Sequence, residues 1–391
     1  KGEVMAVGER TPVAVLDSAA ASRMAVAEAM TNITAADIDP ALVKLSANWM
    51  AACGAEGEDA KLFAAVKAAS EYCQALNVSI PVGKDSCSMR TAWDDKDEKK
   101  CVTSPVSLIV SAAAPVGNVR LTLTPLLRTD KPSVLALFDL SGGRARMGAS
   151  ILAQVAQSFG DTAPDAPDAQ KLVRFVKLIR KLTLAGCVTA YHDRSDGGLA
   201  ATLSEMMFAS HVGLDVTLDG LIDGAKDVEA ATAALFNEEI GAVVQIPADR
   251  LEDVKSQAAA AGLSDCLFVV ARINTTDTFK VTCGENVLVD EKRTDLMRVW
   301  SEVSHEIARG RDNPACADSE LEVACGTDHQ GLFVKTTFDP EEHPSGPYIH
   351  SGDVRPKIAV LREQGVNSQT EMAAAFTKAG FEAWDVHMTD L

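Results

Sequence analysis

Long apolar runs, paired cysteines and histidine ligand motifs are all missing from this sequence. No stretch approaches the roughly 18 to 20 uninterrupted apolar residues that a membrane-spanning helix needs. The nine cysteines form an odd set without CxxC spacing, which indicates neither a disulfide framework nor a zinc site. The seven histidines include no HExxH or similar spacing. We therefore expect a cytoplasmic protein, in a reducing compartment, that makes no membrane contact.

Positive charge is also in short supply. Lys and Arg total 37 against 55 Asp and Glu, which gives a formal net charge of -18. Such an acidic chain is a poor partner for nucleic acid or an anionic membrane, although a local pocket for phosphates is compatible with it. With 391 residues, 47% of them hydrophobic, the chain is long enough for two or three domains. Small molecules are the expected partners.

Apolar β-rich runs alternate with helix-period segments along the chain, which is the pattern of α/β or α+β layers. The segments predict a first domain at 1–125, a second at 126–310, a linker at 311–356 and the opening of a parallel βαβ unit at 357–391. The chain begins with Lys1 instead of Met and stops at Leu391, just after a strand-like run. We therefore expect both ends to be cuts in a longer polypeptide.

The segment YHDRSDGGL, residues 191–199, lies between a strand-like and a helix-like run. A strand-to-helix turn presents free N–H groups, and its two glycines let a bulky anion approach the backbone. Asp193 and Asp196 would repel a bare phosphate, so a nucleotide bridged by Mg²⁺ is the natural ligand. Alternatively, Asp193 and Ser195 cap the helix while Gly-Gly makes a turn. This segment alone does not decide between the two interpretations.

An alanine-rich helix that runs toward Asn32 carries a second candidate group, with Asp17 or Ser18 as its N-cap. Glu28 and Asn32 are four residues apart and therefore lie on one helix face, where their oxygens can converge on a hard cation. Such a pair is more often part of a solvated face. Here the surrounding residues are apolar almost all round, which favours burial, and a buried charge needs a partner.

Two further polar segments follow strand-like runs. The polar loop GKDSCSMR offers Lys84 to a phosphate, and it lacks the GxxxxGK spacing of a P-loop. Cys87 in this loop has no histidine nearby, so a packed thiol is preferred over a nucleophile. The segment SGGRARMG makes Arg144 and Arg146 available to an anion, but an ordinary exposed loop is the preferred interpretation.

Several longer blocks, taken together, resemble one enzyme family. They are GERTPVAVLD, EAMTNI, KLSANWMAA, IPVGKDSCSM, YHDRSDGGL, LFNEEIGAVVQ and RPKIAVLREQGVNSQTEMAAAF, in this order. The chain resembles the second half of the synthetase region, and the start of the glutaminase domain, of the large phosphoribosylformylglycinamidine synthases, also called FGAR amidotransferases. The resemblance implies an α/β (α+β) fold with PurM-like synthetase N-terminal and C-terminal domains. The first strands of a flavodoxin-like class I glutamine amidotransferase domain would follow them.

The resemblance also implies a reaction and a set of partners. Family members convert formylglycinamide ribonucleotide (FGAR) to the amidine FGAM in purine biosynthesis, using ATP, Mg²⁺ and ammonia from glutamine. ATP phosphorylates the formyl oxygen, and ammonia then displaces the phosphate. The expected partners are these small molecules and the remaining parts of the same polypeptide. The alternative is a structural half that binds Mg-nucleotide and has no activity of its own.

By the same resemblance, Glu28, Asn32 and Asp193 fall on magnesium-ligand positions and Ser195 on a position that contacts the nucleotide, ATP or ADP. We expect this nucleotide to be auxiliary instead of catalytic. Pseudo-symmetry between the synthetase halves suggests that Lys84, Asp85 and Ser88 contribute to a substrate-facing pocket. The glutaminase Cys, His and Glu are expected beyond Leu391, so we expect no catalytic residue in this chain and no activity of the chain alone.

Overall fold

The computed structural model describes residues 2–96, 98–160, 162–224, 226–327, 334–344, 346–347 and 355–391. These residues divide into two compact units, Lys1–Thr327 and Asp328–Leu391. Among the helices in the described ranges, none combines the length and the apolar character needed to cross a membrane.

The first part of unit one is a four-stranded sheet covered on one face by two helices. Its elements are β1 (Gly2–Glu9), α1 (Ser18–Ile33), β2 (Lys44–Met50), α2 (Glu58–Leu76), β3 (Ser79–Ser86), β4 (Arg90–Asp95), β5 (Glu98–Thr103) and β6 (Ser107–Val116). The sheet order is β1-β6-β2-β3, and β4 and β5 form a separate antiparallel pair. Alternate residues such as Leu45 and Val110 are buried with Met24 and Met30 of α1, as expected for a half-buried sheet.

The second part of unit one is built on a seven-stranded sheet of order β13-β12-β9-β11-β7-β10-β8. Its elements are β7 (Ser133–Asp139), α3 (Ile151–Val155), α4 (Ala169–Leu184), β8 (Ala190–Arg194), α5 (Gly198–Ser210), β9 (Gly213–Thr217), α6 (Val228–Phe236), β10 (Gly241–Pro247), α7 (Leu251–Ala260), β11 (Leu267–Asn274), β12 (Thr278–Cys283), β13 (Asn286–Lys292), α8 (Arg293–Arg311) and α9 (Pro314–Cys325). The β9–β12 pair is parallel, and the other strand pairs are antiparallel.

The two faces of this sheet contribute to different cores. On the first face, Phe138 packs edge-on against Phe175 of α4 with ring centroids 5.6 Å apart, and Tyr191 lies in the same cluster as α1. On the second face, Leu137 and Ala190 pack with α5 and α6. Because successive strand residues alternate between faces, Asp193 belongs to the face of Tyr191, whereas Arg194 belongs to the face of Ala190.

Unit two contains β14 (Lys357–Arg362), α10 (Gln369–Lys378) and β15 (Glu382–His387). β14 and β15 pair in parallel, from Lys357 opposite Glu382 to Arg362 opposite His387. The predicted opening of a parallel βαβ unit is therefore confirmed.

Three local predictions need correction. The segment 83–86, predicted as loop, belongs to β3, where Gly83 pairs with Ala47 and leaves no room for a side chain there. Cys87, predicted to be packed, is exposed. The linker segment contains helix α9, which Asn313 caps by accepting from the N–H groups of Ala315 and Cys316.

Candidate functional site

Helix α1 lies unusually close to strand β1, and this contact places Glu28. Asp17 caps the helix by accepting from the N–H groups of Ala19 and Ala20, as predicted. A Cβ atom at Gly8 would overlap the carbonyl oxygen of Ala25 and the amide nitrogen of Ala29. Because Gly8 has no side chain, the helix backbone approaches the strand, and the carboxylate of Glu28 reaches the end of β1.

The Glu28 carboxylate is buried between the two parts of unit one. Its Oε2 accepts a 2.7 Å hydrogen bond from the Glu9 N–H, and its Oε1 accepts the hydroxyl proton of Ser195. Burial raises the pKa of Glu28 to about 7, and the nearby Asp193 charge adds to the rise. Arg10 and the two hydrogen bonds oppose that rise without cancelling it. The burial predicted for the Glu28 and Asn32 pair is confirmed for Glu28 and wrong for Asn32, which is exposed.

Asn32 and Asp193 lie beside Glu28. Asn32 is exposed one turn further along α1, and its amide nitrogen donates to the Val7 carbonyl at 3.2 Å, which leaves its Oδ1 available. The Tyr191 hydroxyl donates to the Thr31 carbonyl at 2.6 Å and fixes β8 against this helix. The Asp193 charge is close enough to raise the pKa of Glu28, and Asn32 lies one helical turn from Glu28. In the described ranges, no group of three or more His, Cys, Asp or Glu side chains is arranged to hold a metal ion.

The turn after β8 contains two glycines that its backbone geometry requires. Gly197 and Gly198 have φ of 77° and 64°, in the left-handed region that favours glycine. A Cβ atom at Gly198 would lie 2.5 Å from the Asn237 carbonyl oxygen, so the close approach is to the protein's own backbone. The N-cap residue of α5 is Gly197, which provides no side-chain cap. The interpretation of Asp193 and Ser195 as helix caps was therefore wrong, whereas the turn itself is confirmed.

Glu238 takes the place of a side-chain cap for α5 and adds to the Ser150 cap of α3. Its Oε1 accepts from the N–H of Gly197 before α5 and from the N–H of Ile151 in α3, both at 2.8 Å. Its Oε2 accepts a 2.6 Å bond from the buried guanidinium of Arg10, which also pairs with Asp196 at 2.9 Å. Burial alone would lower the pKa of Arg10, but Glu238 and the other nearby carboxylates raise it. A residue that follows β1 thus joins the two parts of unit one.

Two further ion pairs, each with one fully buried partner, lie near this junction. Glu239 is fully buried and accepts from Nε and Nη2 of Arg146 at 2.6 and 2.9 Å. Arg194 is 2% exposed and pairs with Asp139 at 2.8 Å. The segment of Arg144 and Arg146 was interpreted as an ordinary exposed loop, whereas the Arg146 guanidinium is bound within the chain.

His192 is paired on the second face of the large sheet. Its Nε2 lies 2.8 Å from a Glu205 oxygen of α5, and its Nδ1 lies 3.5 Å from an Asp193 oxygen. Burial by itself lowers the pKa of His192, but the bonds and charges of Asp193 and Glu205 raise it to about 9. The His192 bond in turn lowers the pKa of Glu205. His192 therefore carries positive charge near neutral pH and limits the net negative charge around Asp193.

The predicted set Lys84, Asp85 and Ser88 lies elsewhere and is exposed on and after edge strand β3. Across the sheet, Lys84 of β3 lies opposite Asn48 of β2, which lies opposite Ile109 of β6. Ile109 in turn lies opposite Glu9 of β1, so Lys84 is three strands away from Glu9. At about 4.8 Å per strand, the backbone separation is roughly 14 Å. The structure thus places Lys84 along the same row of the sheet as Glu9 without bringing it into contact with Glu28.

Sequence reasoning missed the buried ion pairs at the junction. The residues concerned are Arg10, Arg146, Arg194, Glu238 and Glu239. One signal was present: two adjacent glutamates directly precede the largely apolar run IGAVVQI, where a buried charge would need a partner. Their partners come from distant parts of the chain, so no spacing in the sequence identifies them.

Three family models match the chain in order. Residues 1–115 match the FGAR-AT PurM_N-like domain, residues 139–284 the C-terminal domain of AIR synthase related proteins, and residues 355–391 the CobB/CobQ-like glutamine amidotransferase domain. Fold and matches define a PurM-like synthetase module that is followed by glutamine amidotransferase sequence. The kinds of domain and their order are those of an FGAM synthase-like protein.

Solved structures of T. maritima PurL share the fold. The PurL complex with FGAR has a TM-score of 0.59 and 15% identity, and the alignment covers 75% of this chain and 45% of that one. The PurL complex with ATP has a TM-score of 0.55 and 13% identity, with coverages of 74% and 43%. The PurLQS structure has a TM-score of 0.56 and 13% identity, with coverages of 74% and 44%. The chain thus spans less than half of the length of these proteins.

Proposed function

We propose that this chain is part of an ATP- and glutamine-dependent ligase that converts FGAR to FGAM in purine biosynthesis. In this reaction ATP phosphorylates the formyl oxygen of FGAR, and ammonia from glutamine displaces the phosphate to form a C–N bond. The order of synthetase and amidotransferase domains supports the proposal, as do the PurL relatives that bind FGAR, ATP and ADP. The observation that carries it is the buried Glu28 carboxylate, which faces Ser195 and Asp193 across the junction.

Within this ligase, Glu28, Asn32 and Asp193 would hold Mg²⁺, and Ser195 would contact the polyphosphate of ATP or ADP. The donor set fits, because carboxylate and amide oxygens are the ligands that hard cations prefer. Asn32 already uses its amide nitrogen on Val7, so its oxygen is the atom left for a cation. When bound, the cation would neutralise polyphosphate charge. The protein's own contribution is orientation: the Glu9 N–H fixes one Glu28 oxygen, and Ser195 lies against the other.

A structural role for this nucleotide is the second candidate, and it is favoured by the buried Arg10–Glu238 pair beside the site. A ligand bound at such a junction would stabilise the fold by mass action, without taking part in the reaction. We place the auxiliary nucleotide here on this ground. The reacting groups would then lie in other parts of the complete enzyme.

Glu28→Gln and Asp193→Asn in the complete enzyme test the two roles. We would measure FGAM formation with ammonium as the donor, nucleotide bound per chain, and the melting temperature. An auxiliary site predicts loss of one bound nucleotide and a lower melting temperature, with turnover per folded enzyme nearly unchanged. Loss of turnover in a normally folded protein would assign the site to catalysis. Full nucleotide occupancy in both variants would overturn the site itself. Arg120→Gln, an exposed position outside these contacts, is the control.

Lys84, Asp85 and Ser88 are proposed to contribute to the substrate-facing pocket. Their exposure on and after an edge strand supports this role, because a ligand can reach them from solvent. Lys84→Met in the complete enzyme should raise the KM for FGAR while the KM for ATP stays unchanged. An unchanged KM for FGAR would remove Lys84 from the pocket.

A further inference from the structure

A cavity of 280 Å³ opens on the second face of the large sheet, the side of β8 opposite Glu28 and Asp193. Its walls come from the loop after β7, the turn before α6, and α6 itself. Residues that matter for its chemistry are Arg144, Arg194, Leu221, Ile222, Ala233 and Phe268. The cavity is at the small end of the range for ligand sites, with room for about nine waters or one small ring compound.

Arg194 forms the inner polar wall of this cavity. It is 2% exposed; its Nε donates to the Glu239 carbonyl at 2.7 Å, and its Nη2 donates to Asp139 at 2.8 Å. Among the described residues, none accepts a hydrogen bond from Nη1. Nη1 is therefore open to the cavity, and an acceptor placed there would complete the hydrogen bonds of this otherwise buried guanidinium.

Arg144 provides a second guanidinium at the mouth. It is exposed, and within the part of the chain that the structure describes its guanidinium forms no hydrogen bond or ion pair. Gly142 and Gly143, with φ of 72° and 79°, give the loop the backbone shape that brings Arg144 to the cavity. Asp139 also lines the cavity, but it already accepts from Arg194 and from the Ser141 N–H.

The remaining lining residues determine which kind of ligand fits the cavity. Leu221, Ile222 and Phe268 are apolar, and Ala233 leaves space on the α6 side. Asp223 is the one unpaired carboxylate among the described lining residues, and it is exposed to solvent at the rim. A doubly charged phosphate would meet that charge without using the apolar wall. A single carboxylate on an apolar or aromatic ring uses both the wall and the two guanidinium groups.

We propose that this cavity is a second ligand site, separate from the Glu28 site, and that it binds a small monocarboxylate with an apolar or aromatic body. The carboxylate accepts from Arg194 Nη1 and Arg144, and the ring lies against Leu221, Ile222 and Phe268. This inference does not depend on the proposed ligase function.

Titration calorimetry with benzoate on the full chain tests the site, with benzamide and inorganic phosphate as the other probes. We expect benzoate to bind and benzamide, its uncharged counterpart, to bind at least tenfold more weakly. If benzamide binds as tightly as benzoate, the two guanidinium groups do not recognise the carboxylate. If phosphate binds as tightly as benzoate, the apolar wall does not contribute to ligand binding. No benzoate binding at millimolar concentration would overturn the site.

Variants locate the binding. Arg144→Gln should weaken benzoate binding about tenfold, whereas the exposed Arg120→Gln should leave it unchanged. Ala233→Phe should fill the cavity and abolish binding, whereas Val228→Phe adds the same ring at an exposed position of the same helix and should not. Circular dichroism and the melting temperature confirm that each variant is folded. Benzoate binding that survives both Arg144→Gln and Ala233→Phe in folded protein would contradict the proposal.

Discussion

The guanidinium of Arg10 donates a 2.6 Å hydrogen bond to the carboxylate of Glu238, 228 residues further along the chain, and their side chains are only 2% and 3% exposed. Arg10 follows the first strand of the small sheet, whereas Glu238 precedes β10 of the large one. Glu238 also accepts from the N–H groups of Gly197 and Ile151. One carboxylate therefore holds together the turn after β8, the start of α3 and the loop after β1.

Replacing Arg10 should destabilise the protein strongly. Arg10→Met leaves Glu238 buried without its cation, and breaking a buried pair from one side costs about 3 to 5 kcal/mol. Urea denaturation at pH 7 measures the change in the free energy of unfolding. Adding Glu238→Gln to Arg10→Met should recover part of the loss, because no buried charge then remains unpaired.

The control for this prediction is Arg23→Met. Arg23 pairs with Asp165 at 2.7 Å, but their side chains are 28% and 30% exposed, so water screens the pair. Its loss should cost no more than about 1 kcal/mol. Equal losses for Arg10→Met and Arg23→Met would contradict the special role of the buried pair.

Local patterns allowed much of the fold to be predicted. Helix α1 with its Asp17 cap and the terminal βαβ unit follow from periodicity and capping residues, which act over a few positions. The polarity of the segment 83–86 did not indicate a strand, because an exposed edge strand has no buried face to impose an apolar alternation. Local polarity therefore failed where tertiary pairing decided the structure.

The candidate site was predictable to a smaller extent. Helix spacing singled out Glu28, and the family resemblance added Ser195; the structure joins them by a hydrogen bond over 167 positions. The motifs alone could not show that Glu238 caps α5 or that Arg10 pairs with it. Those contacts depend on how the two sheets pack together, which no spacing in the sequence encodes.

Enlarging Gly8 should displace α1 and with it Glu28. A Cβ atom there would overlap the backbone of Ala25 and Ala29, and backbone atoms cannot rotate away. We expect Gly8→Ala to lower the free energy of unfolding by about 3 kcal/mol, at the upper end of the usual overpacking cost. Chemical denaturation measures the loss. Amide exchange of Glu9, whose N–H bonds to Glu28, should become faster if the helix moves.

Gly310→Ala is the matched control for Gly8→Ala. Gly310 lies in α8, and a Cβ atom there would meet nothing within 4 Å. Because alanine favours a helix over glycine, this change should stabilise the protein by up to about 1 kcal/mol. A Gly8→Ala variant as stable as Gly310→Ala would show that α1 can move away from β1 at little cost.

The exposed Cys87 should react slowly despite its accessibility. Its Sγ donates to an Asp85 oxygen at 3.3 Å, and the bonds with Asp85 and Cys53 raise the pKa of Cys87 to about 11. The thiolate is the reactive form, so alkylation at pH 8 should be roughly a hundredfold slower than for an ordinary exposed thiol. The rate should rise about tenfold per pH unit up to the pKa.

Iodoacetamide labelling of the native protein between pH 7 and 11, followed by peptide mass spectrometry, measures this rate, with a short unstructured cysteine peptide as the reference. Asp85→Asn removes the negative charge beside the thiol, so the variant should label faster at pH 8, and the midpoint of its pH profile should move down. Cys53→Ser separates the contribution of the neighbouring thiol. If Cys87 labels as fast as the reference peptide at pH 8, or if Asp85→Asn leaves the profile unchanged, Asp85 does not control the reactivity of this thiol.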